Sequence, residues 1–473
     1  MKRLIYIIIA GVVMLNSCTE YLGIKPRGYD VAYKIEHYEG LIYGRDMFML
    51  DEVFPFMCFE LTTDEGGFAN SYSLIGSDAT NAYTWSETIF RPDENCGEWN
   101  DPVAYIYPLN IVINQVSEAE GGTEEEREAL RAEARVLRAY MTYTMAQFFG
   151  RHYNPSTASA DLCVPIITTA STIGNEFPRK TVQDVYDFII KEMTESVPLL
   201  PVRREHCNRA FSVTGNAMLG KVYWTMGKYP EALEYLKTAY EGLEAAGAGL
   251  MDYAGMVSDG EITYPVDDLQ NPELLWNYEN MTHIWSAMYP SYYGSSLFTI
   301  KPEVMTRYFS SGDYRLCFYS GMKSGKTLFN KFDGRDTYHL NLSNFVGNIG
   351  IRVGDLYLMY AECLARTDEY AEARRIIEEF RSFRVEDGKE DVEAADGDEL
   401  IRFIVAERMR EYLGYGNSWF DMRRLWNDPL FQDMKEMYVH SDGRQDYTLD
   451  EERLVMRIPP QVMEWHPEYV DNE

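Results

Sequence analysis

Two well-separated stretches of this chain carry one and the same spacing of small and apolar side chains. In LGKVYWTMGKYPEALEYLKTA, Gly220, Tyr223, Ala232, Leu236 and Ala239 fall at offsets 0, 3, 12, 16 and 19. In AECLARTDEYAEARRIIEEF, Ala361, Leu364, Ala373, Ile377 and Phe380 repeat those offsets. Spacings of three and four put residues on one face of a helix, and the gap between the second and third positions leaves room for a turn. Each stretch therefore reads as two antiparallel helices, with small residues where the backbones cross closely.

This is the spacing of a tetratricopeptide unit. Two units so far apart are not expected to make a continuous superhelix. The expected fold is mainly α: tetratricopeptide-like helical pairs form a scaffold, and long insertions with short strands form a binding face. Two further helices announce their starts. Thr123 with Glu126, and Thr181 with Asp184, make capping-box patterns ahead of EREALRAEARVLRAYMTYTMAQFFG and VQDVYDFIIKEMTESV. Ala134, Leu137, Tyr140, Met141, Thr144, Met145 and Phe148 supply the expected buried stripe of the first. Residues 51–102 and 250–352 are instead rich in Gly, Asn, Ser, Asp, Tyr and Trp and read as loops with short strands such as ELLWNYE.

The chain opens with Lys2 and Arg3 and an uncharged run from Leu4 to Leu15, followed by Asn16, Ser17 and Cys18. A basic start and an apolar segment too short to span a bilayer read as an export signal over 1–17. The sequence around Cys18 is close to a bacterial lipobox, which makes Cys18 the expected lipid attachment point, with acyl chains (palmitate among them) as a membrane anchor. Formal net charge is −31 over 473 residues, and the loss of Lys2 and Arg3 would make the mature chain more acidic still. Such a surface repels nucleic acid, so no nucleic-acid partner is expected. Cys58, Cys96, Cys163, Cys207, Cys317 and Cys363 are scattered without CxxC spacing, so neither a zinc site nor a disulfide framework is indicated; bridges and buried free thiols both stay open.

Catalytic patterns are missing. GMKSGKT, from Gly321 to Thr327, has three residues between its glycines where a phosphate-binding loop needs four. The seven histidines form no HExxH or other ligand spacing, and no GxSxG elbow occurs. Asp64 with Glu65, and Asp267 with Asp268, are loop carboxylates that a glycosidase could use, but solvated acids or ligand acceptors explain them better. No metal, cofactor or catalytic residue is therefore assigned. The aromatic content, 14% with 36 tyrosines and 8 tryptophans, is the more telling signal. Tyr72, Asn81, Tyr83, Trp85, Arg91 and Asn95 lie in one insertion; Trp285, Tyr289, Tyr292, Tyr293 and Phe298 lie in the other. A sugar ring offers a flat C–H face for aromatic stacking and a rim of hydroxyls for amide and guanidinium groups. Tyr72, Asn81, Trp85, Arg91, Trp285, Tyr289, Tyr292 and Tyr293 are the candidate ligand-binding residues.

Taken in order, CTEYLGIKP, EARVLRAYMTYTMAQFFG with VPIIT, RKTVQDVYDFIIKEM, NPELLWNYE, IRVGDLYLMYAECLAR, IVAERMREYLGYGNSWFDMRRLW and RIPPQVMEWHPEYVDNE resemble the SusD/RagB family, the outer-membrane nutrient-binding lipoproteins of Bacteroidetes. The resemblance runs over nearly the whole chain. It implies helix pairs supporting a loop-built face, oligosaccharide binding (peptide in some members), no catalysis, and a place at the cell surface as a lid on a SusC-like TonB-dependent transporter. A glycosidase is the less favoured alternative. The chain departs from the pattern at Asn16 and in the padded segment from His152 to Asp161. An N-terminal region 18–215 and a C-terminal region 216–473 are expected to interweave into one globular unit. Glu407, Arg408, Glu411, Trp419, Phe420, Asp421 and Arg423 match the most specific block, yet their alternating acids and bases read as buried ion pairing rather than as the site.

Overall fold

The computed structural model describes residues 32–43, 53–63, 77–170, 177–203, 209–258, 261–262, 273–276, 298–316, 338–339 and 350–472. Helices dominate, and their ends follow local chemistry. Thr123 accepts from the Glu126 amide while the Glu126 carboxylate accepts from the Thr123 amide. Glu124, Glu125 and Glu126 sit where the helix dipole favours negative charge. The helix they open runs Glu124–Phe149 and stops at Gly150, where a Cβ would stand 2.5 Å from the Cys163 sulfur.

In chain order the helices are α1 (Ile35–Tyr43), α2 (Asp78–Tyr83), α3 (Gly97–Gln115), α4 (Glu124–Phe149), α5 (Val182–Ser196), α6 (Ser212–Thr225), α7 (Tyr229–Glu241), α8 (Pro302–Tyr308), α9 (Val353–Arg366), α10 (Tyr370–Ser382), α11 (Asp398–Glu411), α12 (Asn417–Leu425) and α13 (Pro460–Trp465). One-turn helices at Leu243–Ala246 and Tyr253–Met256 intervene. α3 was not expected: it begins inside the first insertion and contains Pro102 and Pro108. Proline is costly in an isolated helix, but here Trp99, Tyr105, Ile106, Leu109, Val112 and Ile113 bury the element, and tertiary packing overrides propensity. α4 also departs from its expected single stripe. From Leu130 onward nearly every side chain is buried, because α3, α5 and α6 all pack on it.

The repeat spacing appears as two tight pairs, α6–α7 and α9–α10. A Cβ on Gly220 would lie 2.6 Å from two Leu236 side-chain atoms, so only glycine permits this crossing. The intervening turns share a feature at offset 7 of both repeats. Gly227 has φ 71° and Asp368 has φ 66°, both in the left-handed region that closes a tight helical turn. The two pairs are neighbours in space despite their separation in sequence. α7 packs on α9, and the Tyr240 hydroxyl of α7 donates to Glu379 of α10 at 2.8 Å while Tyr357 of α9 donates to the same carboxylate at 2.6 Å. The helices from α3 to α7, with α9 and α10, thus pack on one another in succession.

The block spanning α11 and α12 builds an ion network within it. Arg408 reaches Asp355 at 3.0 Å and Asp421 at 2.9 Å; Arg424 reaches Glu362 at 2.7 Å and Asp421 at 3.1 Å. The guanidinium groups of Arg408 and Arg424 lie 5.0 and 3.9 Å from the ring centre of Trp224 on α6, which donates its indole N–H to Glu362. Arg315 pairs with Asp313, Glu407 and Glu411, and Arg384 with Glu273 and Glu411. Although burial opposes ionisation of Glu362, Arg424 and Arg366 hold its pKa down at about 2. Cys58, Cys96, Cys163 and Cys363 are buried free thiols; Cys207 and Cys317 lie outside the described residues.

Short antiparallel strands complete the described chain: β1 (Leu61–Thr63), β2 (Leu162–Pro165), β3 (Arg179–Thr181), β4 (Val257–Ser258), β5 (Glu261–Ile262), β6 (Leu274–Trp276), β7 (Phe298–Ile300), β8 (Tyr338–His339), β9 (Ile351–Arg352), β10 (Val439–Ser441) and β11 (Asp446–Thr448). β2 pairs with β3, β4 with β5, β6 with β9 and β10 with β11, while β1, β7 and β8 form a three-stranded sheet.

Candidate ligand-binding face

The register of that three-stranded sheet decides where the insertions start and end. Leu61 pairs with Ile300 and Thr63 with Phe298, so the chain leaves β1 at Thr63 beside the point where it enters β7 at Phe298. Thr299 pairs with His339, which brings the exit of β8 to the same end. Tyr72 follows Thr63 in sequence, and Trp285, Tyr289, Tyr292 and Tyr293 precede Phe298. Those five residues lie outside the described residues, as does Cys18.

Below this end the sheet is bolted to the scaffold by buried polar groups. The Lys301 ammonium donates to the carbonyls of Phe59 at 2.5 Å, Val439 at 2.7 Å and Met437 at 3.2 Å, joining β1, β7 and β10. Burial pushes its pKa down to about 8. Glu60 accepts from the Ser418 hydroxyl at 2.5 Å and the Gly414 amide at 3.3 Å, tying the sheet to α12, and burial raises its pKa. The Ser441 carbonyl receives hydroxyls from Thr63 at 3.1 Å and Tyr83 at 2.7 Å.

Of the candidates in the first insertion, Asn81, Trp85 and Arg91 are described. Trp85 is turned inward. It is 4% exposed, its indole N–H donates to the Met57 carbonyl at 2.9 Å, and its ring stacks 3.9 Å from His440. Tyr83 stacks on His440 as well, at 4.2 Å, so this pair packs the platform rather than facing solvent. Asn81 donates to the Ile89 carbonyl at 2.9 Å and closes the 81–89 loop. Arg91 remains at the surface with 42% of its side chain exposed, oriented by Asp78 at 2.9 Å and by Glu94. The structure buries Trp85 and leaves Asn81 and Arg91 partly exposed.

Sequence reasoning missed Lys301 and His440. Both are single basic residues inside apolar strand-like runs, FTIK and YVHS, a faint signal of a buried hydrogen-bond hub. The His440 ring nitrogens face the carbonyls of Tyr83 at 2.5 Å and Cys58 at 2.9 Å. These contacts favour the charged ring, but burial, with Lys301 nearby, outweighs them and pushes the pKa down to about 3. Among the described residues no group of three or more His, Cys, Asp or Glu side chains could hold a metal ion.

Two family models match the chain: one described as "Starch-binding associating with outer membrane" over residues 52–224, and the SusD family over residues 290–467. The chain belongs to the SusD/RagB family. A SusD-like protein, P38, of Formosa agariphila is 23% identical over 383 residues, covering 69% of this chain and 71% of that relative. Among solved structures, a SusD superfamily protein of Bacteroides thetaiotaomicron superposes with a TM-score of 0.67 at 16% identity, covering 93% of this chain and all of that one. A structure from Bacteroides vulgatus described as a SusD-like carbohydrate binding protein gives 0.58 at 18% identity, covering 83% of each chain. These superpositions show a shared SusD fold. SusD family proteins bind rather than catalyse, and the family is associated with starch or sugar and the outer membrane.

Proposed function

We propose that this chain is a cell-surface lipoprotein that captures oligosaccharide and delivers it to a partner TonB-dependent outer-membrane transporter of the SusC type. The observation that carries this reading is the β1–β7–β8 register, which sets Thr63 and Phe298, the described residues flanking the two aromatic-rich stretches, at one end of a sheet held by Lys301 and Glu60. Rings supplied from those stretches can stack on successive sugar faces, and Arg91 at the edge can bond hydroxyls. The carbohydrate-binding description of the Bacteroides vulgatus structure supports the same class. Cys18 is the proposed lipid attachment.

The test is calorimetric titration of the purified chain against a panel of oligosaccharides and peptides, with assay of reducing ends. Saturable binding of an oligosaccharide without new reducing ends, and at least a tenfold loss on Trp285→Ala, is the expected outcome. Binding only to peptides would move the reading to a peptide receptor, and release of reducing ends would move it to a glycosidase. Fatty-acid labelling that disappears in Cys18→Ala checks the anchor.

A further inference from the structure

The β10–β11 hairpin stands beside the sheet end at which Thr63 and Phe298 meet. Lys301 Nζ bonds the carbonyls of Phe59, just ahead of β1, and of Val439, at the start of β10, while the Thr63 hydroxyl at the end of β1 donates to the Ser441 carbonyl at the end of β10. The two strands therefore run side by side in one direction, and the hairpin turn, Asp442 to Gln445, lies at the same end as Thr63 and Phe298. His440, in the middle of β10, meets the carbonyls of Cys58 and Tyr83 through its two ring nitrogens. Lys301 and His440 are both buried, and two polar groups that are unfavourable to desolvate thus fix the hairpin against β1 and α2.

The turn is ordered by its own bonds. Gly443 takes φ 77°, and Asp442 Oδ1 accepts from the amides of Arg444 at 2.8 Å and Gln445 at 2.9 Å. Tyr447 pairs with His440 across the ribbon, and directly opposed residues share a face. Tyr447 therefore continues the face on which Tyr83, His440 and Trp85 stack, but unlike them it stays partly exposed. Its hydroxyl donates to Asp442 Oδ2 at 2.9 Å and accepts from Gln445 Nε2 at 2.6 Å. That leaves the exposed Gln445 carboxamide with one N–H and its oxygen open, beside the exposed Arg444, whose guanidinium forms no salt bridge among the described residues. A ring fixed through its hydroxyl, an open carboxamide and an open guanidinium match the flat C–H face of a sugar and its rim of hydroxyls, and their prior ordering lowers the entropy lost on binding. Granted the oligosaccharide capture proposed above, on which this rests, we propose that the hairpin turn is a sugar subsite: the Tyr447 ring stacks on a pyranose face, and Gln445 and Arg444 bond its hydroxyls.

The purified full chain is first applied to an array of plant, algal and animal oligosaccharides, and the sugar it binds most tightly is then titrated calorimetrically against the wild type and three variants. Tyr447→Ala should weaken binding by about tenfold or more, Tyr447→Phe, which keeps the ring, by less than about threefold, and the double variant Arg444→Ala/Gln445→Ala by about fivefold. Circular dichroism and Tm identify a variant that has not folded. Arg444 and Gln445 are exposed, so the double variant decides the matter even if Tyr447→Ala does not fold. A folded Tyr447→Ala that binds as tightly as the wild type, equal losses in Tyr447→Phe and Tyr447→Ala, or an unaffected double variant would overturn the subsite and leave sugar capture standing. A wild-type chain that binds nothing on the array would overturn sugar capture itself, and the subsite with it.

Discussion

At the residue scale, the most consequential side chains are single polar groups placed where apolar ones would be expected. His440 is fully buried between Tyr83 and Trp85, and Lys301 gathers three carbonyls from three strands or turns. His440 has a pKa near 3 in the folded chain against an ordinary 6.5. Between those values the unfolded chain binds a proton that the folded chain refuses, so folded stability falls as pH falls through this window and the contribution saturates below it. The expected slope from this one residue approaches about 1.4 kcal/mol per pH unit near the middle of the window. Urea denaturation from pH 7 to pH 3.5 should show this acid loss, and His440→Gln should flatten it; an unchanged slope would mean that His440 is charged when folded. The lone histidine in YVHS was a faint signal of burial, but the sequence carries no sign of which neighbours will stack on it.

At the element scale, the helix pairs are specified by small residues and turn geometry. Gly220 lets α6 touch Leu236 of α7, and no repositioning of the Leu236 branch point is free inside a stack packed on both sides. Gly220→Ala should therefore cost about 1–3 kcal/mol in equilibrium denaturation, although alanine favours an isolated helix. A variant as stable as the original would show that the crossing is looser than its 2.6 Å approach indicates. Helix ends and the two repeats were readable because they depend on local chemistry. α3 was not, because Pro102 and Pro108 are tolerated only through burial against α4. Trp85 illustrates the same limit at the candidate site: aromatic character in a loop is compatible with stacking on a sugar or on His440, and only the fold selects between them.

At the scale of the whole molecule, hydrogen bonds run between the N-terminal and C-terminal halves of the described chain. Tyr140 of α4 donates to the Gly350 carbonyl, Met456 N–H to Phe148, and Arg179 to the Val470 carbonyl and the Asn472 side chain. With α4 buried on nearly all sides, residues 18–215 expressed alone should lack a cooperative thermal transition, and co-expression with 216–473 should restore one. A folded N-terminal fragment would show that the two regions are separate domains.

The amino-acid sequence by itself determined the helix starts, the two paired-helix units, the family and the structural character of the α11–α12 block, because each follows from short-range spacing and capping chemistry. Only the tertiary structure decided that the two units stack, that Trp85 turns inward while Arg91 stays out, that Thr63 and Phe298 meet at one end of one sheet, and that Arg408 and Arg424 share Asp421. Those outcomes depend on which distant segments meet, and contact between segments hundreds of residues apart is set by the packing of the whole chain rather than by any local pattern.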